Sequence, residues 1–213
     1  AVAKKWIIQK VKNDSKPFFM VLAYDTPHAV LELPTQAYPK GGGLRGGVQW
    51  IGKKGQMINT ATGNPDTYVH PDYVNATYDH DKNNATSEVP WPDTYKRQAT
   101  IIRRIDDAVG DLMQLLKDLN IDNTTLVVFS SDNGPSDESY LPKHFVPNRP
   151  NFFDSFGPFD GIKRDVLEGG VRVPAIVRWP QKIAQNTIVE QPNIAYDWLP
   201  TFANVAGIAA PAN

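Results

Sequence analysis

Two unbroken apolar runs, set on either side of one long amphipathic helix, constrain this chain more than any other feature of its sequence. The first is Phe18-Phe19-Met20-Val21-Leu22-Ala23-Tyr24, and the second is Thr125-Leu126-Val127-Val128-Phe129-Ser130. A run without polar alternation is the pattern of a strand covered on both faces, as in a parallel sheet. Between them, Ile101, Ile105, Ala108, Leu112, Leu115 and Leu119 recur at three- and four-residue spacing. That period predicts a helix over about 94–119, with Arg103, Arg104, Asp107, Asp111 and Lys117 filling much of the rest. Asn120 is suited to the left-handed turn that ends it. Helix and buried strand in this order predict an α/β fold with a mostly parallel central sheet and flanking helices.

The remaining segments extend that plan. Residues 1–12 carry apolar positions at helical spacing and stop at Asn13-Asp14-Ser15-Lys16-Pro17. Residues 171–179 are a third strand candidate, with Pro174 pointing to an edge or irregular strand. Residues 195–206 form a last helix, with Asp197 in its first turn and Gly207 as the stop. From about Glu32 to Asp93 the chain is dense in Gly, Pro, Asn and Thr with little periodicity. Such a stretch is either a pocket wall or an irregular surface insertion within the domain. The chain starts mid-helix without an initiator Met or a signal-peptide layout, and ends in a linker-like stretch. Both ends lead to the expectation of a piece cut from a longer chain.

Composition removes several classes. Lys and Arg total 22 against 23 Asp and Glu, a net charge of -1, which gives no electrostatic footprint for nucleic acid. The apolar runs fall far short of the roughly 20 residues that a membrane span needs. With no cysteine there is no disulfide, thiolate metal site or cysteine nucleophile in the chain.

In open α/β sheets, ligands bind at the carboxyl ends of the strands. Asp25 to His28 and Asp132-Asn133 follow the two apolar runs directly, and the loop carrying Lys163 can reach the same rim. Asp132 and Asn133 offer a carboxylate and an amide oxygen, suited to a hard cation such as Ca2+ or Mg2+ rather than zinc. The same residues also fit an Asp-Asn-Gly turn in which Gly134 supplies a positive φ. His28 can give or take a proton near neutral pH, or serve as a local hydrogen-bonding residue. Lys163 can grip an anionic oxygen, or remain a solvated loop lysine. Glu168 and Arg172, four apart, read as a structural ion pair around Gly169-Gly170. Arg45 and Trp50 are candidate sugar or anion contacts.

Taken in order, these clusters resemble the sulfatase family of the alkaline-phosphatase-like superfamily. Pro17-Phe18-Phe19 through Pro27-His28 resembles its strand and Pro-His element. Ile105-Asp106-Asp107 through Ser131-Asp132-Asn133-Gly134 resembles its helix, strand and metal turn. Gly161-Ile162-Lys163 through Glu168-Gly169-Gly170-Val171-Arg172-Val173-Pro174 resembles its lysine loop and Glu-Gly-Gly segment, and Asp197-Trp198-Leu199-Pro200-Thr201 fits as well.

The resemblance implies a sulfuric ester hydrolase acting on a sulfated small molecule or glycan, periplasmic or secreted. It makes Asp132 and Asn133 calcium ligands, His28 the sulfate contact that protonates the leaving oxygen, and Lys163 a sulfate-binding residue. It also implies a formylglycine nucleophile made from Cys or Ser, whose motif is not in these 213 residues; nor is the family's C-terminal subdomain. The expectation is therefore a partial catalytic domain, inactive alone, whose partners include the missing parts of its own domain. Related sequences place His after the Asp-Asn-Gly-Pro turn, where Ser136 stands here; His144 is a candidate substitute from the same loop. A phosphoryl-transfer enzyme of the same superfamily and a non-catalytic binder of sulfated glycans are the competing readings.

Overall fold

The computed structural model describes residues 1–28, 36–50, 68–137 and 148–210. They divide into two compact units, Ala1–Trp179 and Pro180–Asn213. In the first unit, helix α1 spans Val2–Asn13, with Lys10 and Lys12 in its last turn, where the helix dipole favours cations. Helix α2 is one turn, Pro71–Val74, opened by Pro71 and capped by the His70 ring, which accepts the Asp72 N–H. Strands β1 (Thr77–Tyr78) and β2 (Val89–Pro90) pair antiparallel. The described part of the 32–93 stretch is thus ordered near its C-terminal end.

Helix α3 runs Asp93–Asp118, within a residue of the predicted span. Ile101 and Leu115 are almost fully buried on its apolar stripe. Burial of such a side chain stabilises by about 1.5–3 kcal/mol. The helix ends where expected, with Asn120 at φ 57°. Its first turns are fixed by aromatic packing: Tyr95 stacks on Phe152 at 3.7 Å, and Trp91 meets Phe153 edge-on at 5.1 Å.

Strands β3 (Val127–Ser130) and β4 (Ala175–Arg178) form the other sheet, in the register Val127↔Arg178 to Ser130↔Ala175. This pair is antiparallel, which corrects the expected parallel order. A parallel pair needs a crossover to the far end of the sheet. Here the described connection holds only a 3-10 turn at Pro150–Phe152 and the one-turn helix α4, Glu168–Val171, and it returns to the rim it left. The third strand is correspondingly shorter than 171–179. At the opposite end, Arg178 donates both guanidinium nitrogens to Asp122, at 2.7 and 2.9 Å.

The run 18–24 is a second correction. It forms no strand among the described residues, and its side chains are open, with Phe19 68% and Val21 73% exposed. The expectation rested on apolarity, which signals a need for cover but does not supply a neighbouring strand. Phe18 meets Trp6 edge-on at 5.5 Å. Strand β3 is likewise not covered on both faces, since Phe129 is 38% exposed.

In the second unit, a 3-10 turn at Ala195–Asp197 leads into α5, Trp198–Val205. The Asp197 carboxylate accepts the Ile194 N–H at 2.8 Å, Trp198 stacks on Phe202, and Gly207 follows at φ 72°. Among the described residues, no helix is long and apolar enough to cross a membrane.

Candidate active site

The antiparallel β3–β4 pair explains why distant loops share one rim. Because Ser130 lies opposite Ala175, the chain leaving β3 at Ser131 and the chain entering β4 at Pro174 start from the same place. Two short stretches of that connection, 131–137 and 160–171, are joined backbone to backbone. The Gly134 N–H donates to the Gly170 carbonyl at 3.0 Å, and the Lys163 N–H donates to the Pro135 carbonyl at 2.7 Å. The Gly169 N–H closes the second stretch on itself through the Asp160 carbonyl at 2.8 Å.

Gly134 is not in the left-handed region, so the turn does not need glycine for a positive φ. Close approach is the reason instead. A Cβ on Gly134 would overlap the Gly169 carbonyl oxygen, and one on Gly169 would overlap the Gly161 carbonyl oxygen. Glu168 and Arg172 do pair across α4, and the guanidinium also lies 4.7 Å from the Phe159 ring centre. Both partners are more than half exposed, so the pair adds little energy of its own.

Lys163 therefore leaves a backbone anchored to the turn that follows β3. Its Nζ lies 3.4 Å from His28 Nε2, a contact spanning 135 positions of sequence. With that ring nitrogen unprotonated, the imidazole accepts from the ammonium. The His28 backbone N–H donates to the Asp25 carbonyl at 3.1 Å, a tight turn just past the 18–24 run. An ammonium and an imidazole at this distance can together hold an anionic oxygen and exchange a proton beside it.

In the turn itself, Asn133 Nδ2 donates to the Gly134 carbonyl at 2.9 Å, which leaves Oδ1 with acceptor duty only. Asp132 is exposed. This donor chemistry, one carboxylate and one amide oxygen, fits a hard cation. The described residues contain no group of three or more His, Cys, Asp and Glu arranged to hold a metal. Asp132 and Asn133 thus fit as part of a ligand set of six to eight oxygens. Asp137, in the same loop, has a buried carboxylate oxygen with no hydrogen-bond partner among the described residues. His144 lies outside the described residues. Trp50 sits under Lys5, with Nζ 4.8 Å from the ring centre.

The family profile described as Sulfatase matches residues 1–208. The chain belongs to the sulfatase family. It is 36% identical over 117 residues to N-acetylgalactosamine-6-sulfatase of Canis lupus familiaris, covering 55% of this chain and 21% of that protein. Against human steryl-sulfatase the identity is 34% over 110 residues, 52% of this chain and 18% of that protein. The solved structure of Ps i-CgsB in complex with k-i-k-neocarrahexaose is similar over 100% of this chain and 33% of its own, with TM-score 0.60 and 26% identity. This sulfatase chain thus spans about a fifth of the length of those curated relatives.

A second polar centre, which its charge in the sequence assigns to the polar face of the helix, is the buried carboxylate of Asp111. It is 3% exposed and accepts Lys4 Nζ at 2.5 Å, Tyr38 Oη and the Gly43 N–H at 2.8 Å, and the Val48 N–H at 2.9 Å. Lys4 Nζ also donates to the Gly46 carbonyl at 2.9 Å. One carboxylate thereby gathers α1, α3 and the Gly-rich 38–48 loop. The signal was its position, three residues after Ala108 and four before Leu115, on the apolar stripe itself. Burial and the bond to Asp111 push the Tyr38 phenol well above its ordinary pKa.

Proposed function

We propose that this chain is the cation-turn and anion-gripping part of a larger sulfatase catalytic domain that hydrolyses sulfate esters. The observation that carries the reading is the 3.4 Å meeting of Lys163 Nζ and His28 Nε2, set beside the Asp132-Asn133 loop by backbone bonds. Lys163 neutralises charge on the sulfuryl oxygens, and His28 delivers a proton to the ester oxygen as its bond to sulfur breaks. Over the whole reaction a water oxygen ends on sulfur, one water proton replaces the one that His28 gave to the alcohol, and the other is released with the sulfate. Asp132 and Asn133 contribute to holding Ca2+, with Mg2+ the alternative; such a cation supplies further charge stabilisation at the sulfuryl oxygens.

The nucleophile, formylglycine by family resemblance, is supplied from outside these 213 residues, and the chain alone is inactive. Further strands of the central sheet come from there too. This accounts for the exposed Phe19 and Val21 and for Ile176 at 62% exposure on β4, more uncovered strand-like apolar surface than a finished sheet leaves. The substrate class we infer is a sulfated carbohydrate, met outside the cytoplasm. Its support is the N-acetylgalactosamine-6-sulfatase relative and the neocarrahexaose complex of the solved neighbour.

The test is the full-length protein with its nucleophile matured, assayed on an aryl sulfate and an aryl phosphate with calcium or zinc. Calcium-dependent sulfate release is expected, reduced about 10²–10³-fold in Lys163→Ala and lost at limiting calcium in Asp132→Ala. Preference for phosphate with zinc would place the protein among the phosphoryl-transfer enzymes of the superfamily. Binding of sulfated glycan without turnover would make it a non-catalytic descendant.

A further inference from the structure

Resting on the sulfatase reading, we infer that Gly134 and Gly169 are positioning residues that couple the cation turn to the anion-binding lysine. Three facts of geometry lead there. The residues on either side of the splice are the ones with chemistry: Asp132 and Asn133 immediately precede Gly134, and Lys163 is the residue whose own N–H bonds to Pro135. The contacts are backbone on backbone, between the 131–137 and 160–171 stretches, with Gly134, Gly169 and Gly170 all buried. A side chain at Gly134 would occupy the space of the Gly169 carbonyl oxygen across the seam, and one at Gly169 that of the Gly161 carbonyl oxygen within the 160–171 stretch that Gly134 packs on.

A seam of this kind has no flexible side chain to absorb a shift. If a cation draws the Asp132 and Asn133 oxygens together, the backbone from Asn133 to Pro135 moves with them. The two cross-seam hydrogen bonds then carry that change to Gly170 and to the base of the Lys163 side chain. The cation thereby sets where the ammonium stands relative to His28. By thermodynamic reciprocity, an anion held at Lys163 tightens the cation turn by the same factor. Direct attraction between cation and anion adds to this, but it does not depend on what occupies position 134, and that difference makes the two separable.

The experiment is calorimetric titration of the full-length protein with inorganic sulfate, with and without calcium, and the reverse titration. Calcium is expected to tighten sulfate at least about five-fold, the lower end of ordinary site-to-site coupling. In Gly134→Ala, checked as folded by circular dichroism, most of that factor is expected to vanish while each ligand still binds alone. Gly110→Ala on α3, where an added Cβ meets open space, keeps the wild-type coupling.

A folded Gly134→Ala with undiminished coupling would overturn the inference, and so would a loss in Gly110→Ala. Should Gly134→Ala fail to fold, hydrogen exchange on the wild type decides. Calcium alone must slow exchange across 161–171, and unchanged exchange with calcium bound sinks the idea. If the wild type binds calcium and sulfate without coupling, only this inference falls. If it binds neither, the sulfatase reading falls and takes the inference with it.

Discussion

Replacing Asp111 by alanine should loosen the Gly-rich loop more than any other single change on α3. The carboxylate is the common acceptor of the Lys4 ammonium, the Tyr38 phenol and the Gly43 and Val48 N–H groups. Lys4 is only 4% exposed at its side chain and would keep one partner, the Gly46 carbonyl. Stranding one member of a buried ion pair costs about 3–5 kcal/mol. The Val48 N–H loses its carboxylate acceptor, and the Gly43 N–H keeps only the Asp111 backbone carbonyl at 3.2 Å. Both losses add to that cost unless the loop opens to water, and opening is the expected response. At 1.4 kcal/mol per decade, 3–5 kcal/mol accelerates exchange of the Gly43 and Val48 amides roughly 10²- to 4 × 10³-fold, up to the limit set by global unfolding.

Two companion variants fix the order. Tyr38→Phe removes one hydrogen bond to a charged group, about 1.5–3 kcal/mol. Lys4→Met leaves the carboxylate three other donors and should also cost less than Asp111→Ala. The readout is amide exchange resolved by residue, or over the 38–48 peptide by mass spectrometry. Exchange accelerated less than ten-fold in Asp111→Ala, or a larger effect from Lys4→Met, would refute the view that this carboxylate organises the loop.

His28→Ala should slow hydrolysis of sulfate esters with poor, alkoxide-like leaving groups about 10²–10⁴-fold, but spare activated aryl sulfates, which depart without a proton; equal losses on both would remove its acid role. Tyr38 retains its proton in the folded protein above pH 10.0, where an unfolded phenol loses it. The folded state then binds more protons, so stability should fall as pH rises past 10, and Tyr38→Phe should flatten that fall in alkaline denaturation curves. Asp122 titrates below its ordinary 3.8 because of Arg178. Its contribution is present above that value and lost as pH drops through the lowered one, and Asp122→Asn should remove that acid-limb dependence. With the carboxylate partly exposed, the pair is worth about 1 kcal/mol or less, readable as a small shift in urea midpoint.

What the sequence made legible was whatever depends on position along one element. The stripe of α3, its Asn120 stop and the location of the polar clusters just beyond apolar runs all follow from local period and capping chemistry. Direction of strand pairing does not, because an apolar run is equally apolar in parallel and antiparallel company; only the return of the 131–174 connection to its own rim decides it. The 18–24 run misled for a related reason, since its pattern states a demand for cover that residues elsewhere must meet. Asp111 was misplaced because its charge was weighed above its place on the stripe. Gly134 was assigned to a turn conformation, whereas its reason is a carbonyl oxygen 35 positions later, which no local rule contains.

These outcomes bear on how the site is built. Lys163 and the Asp132-Asn133 turn are held by main-chain bonds within one connection, so their geometry does not wait on the rest of a sheet. His28 is held differently. It meets Lys163 from the end of an exposed apolar run, through its Nε2 contact with the ammonium, and its backbone N–H bonds to the Asp25 carbonyl. On the proposed reading, the lysine side of the anion grip is held by the backbone bonds between 131–137 and 160–171, while the proposed proton donor is carried by the exposed 18–24 run. Sulfate binding, which needs Lys163, is therefore expected to survive changes in the 18–24 run that abolish cleavage of the ester, and loss of both together would remove this division of roles.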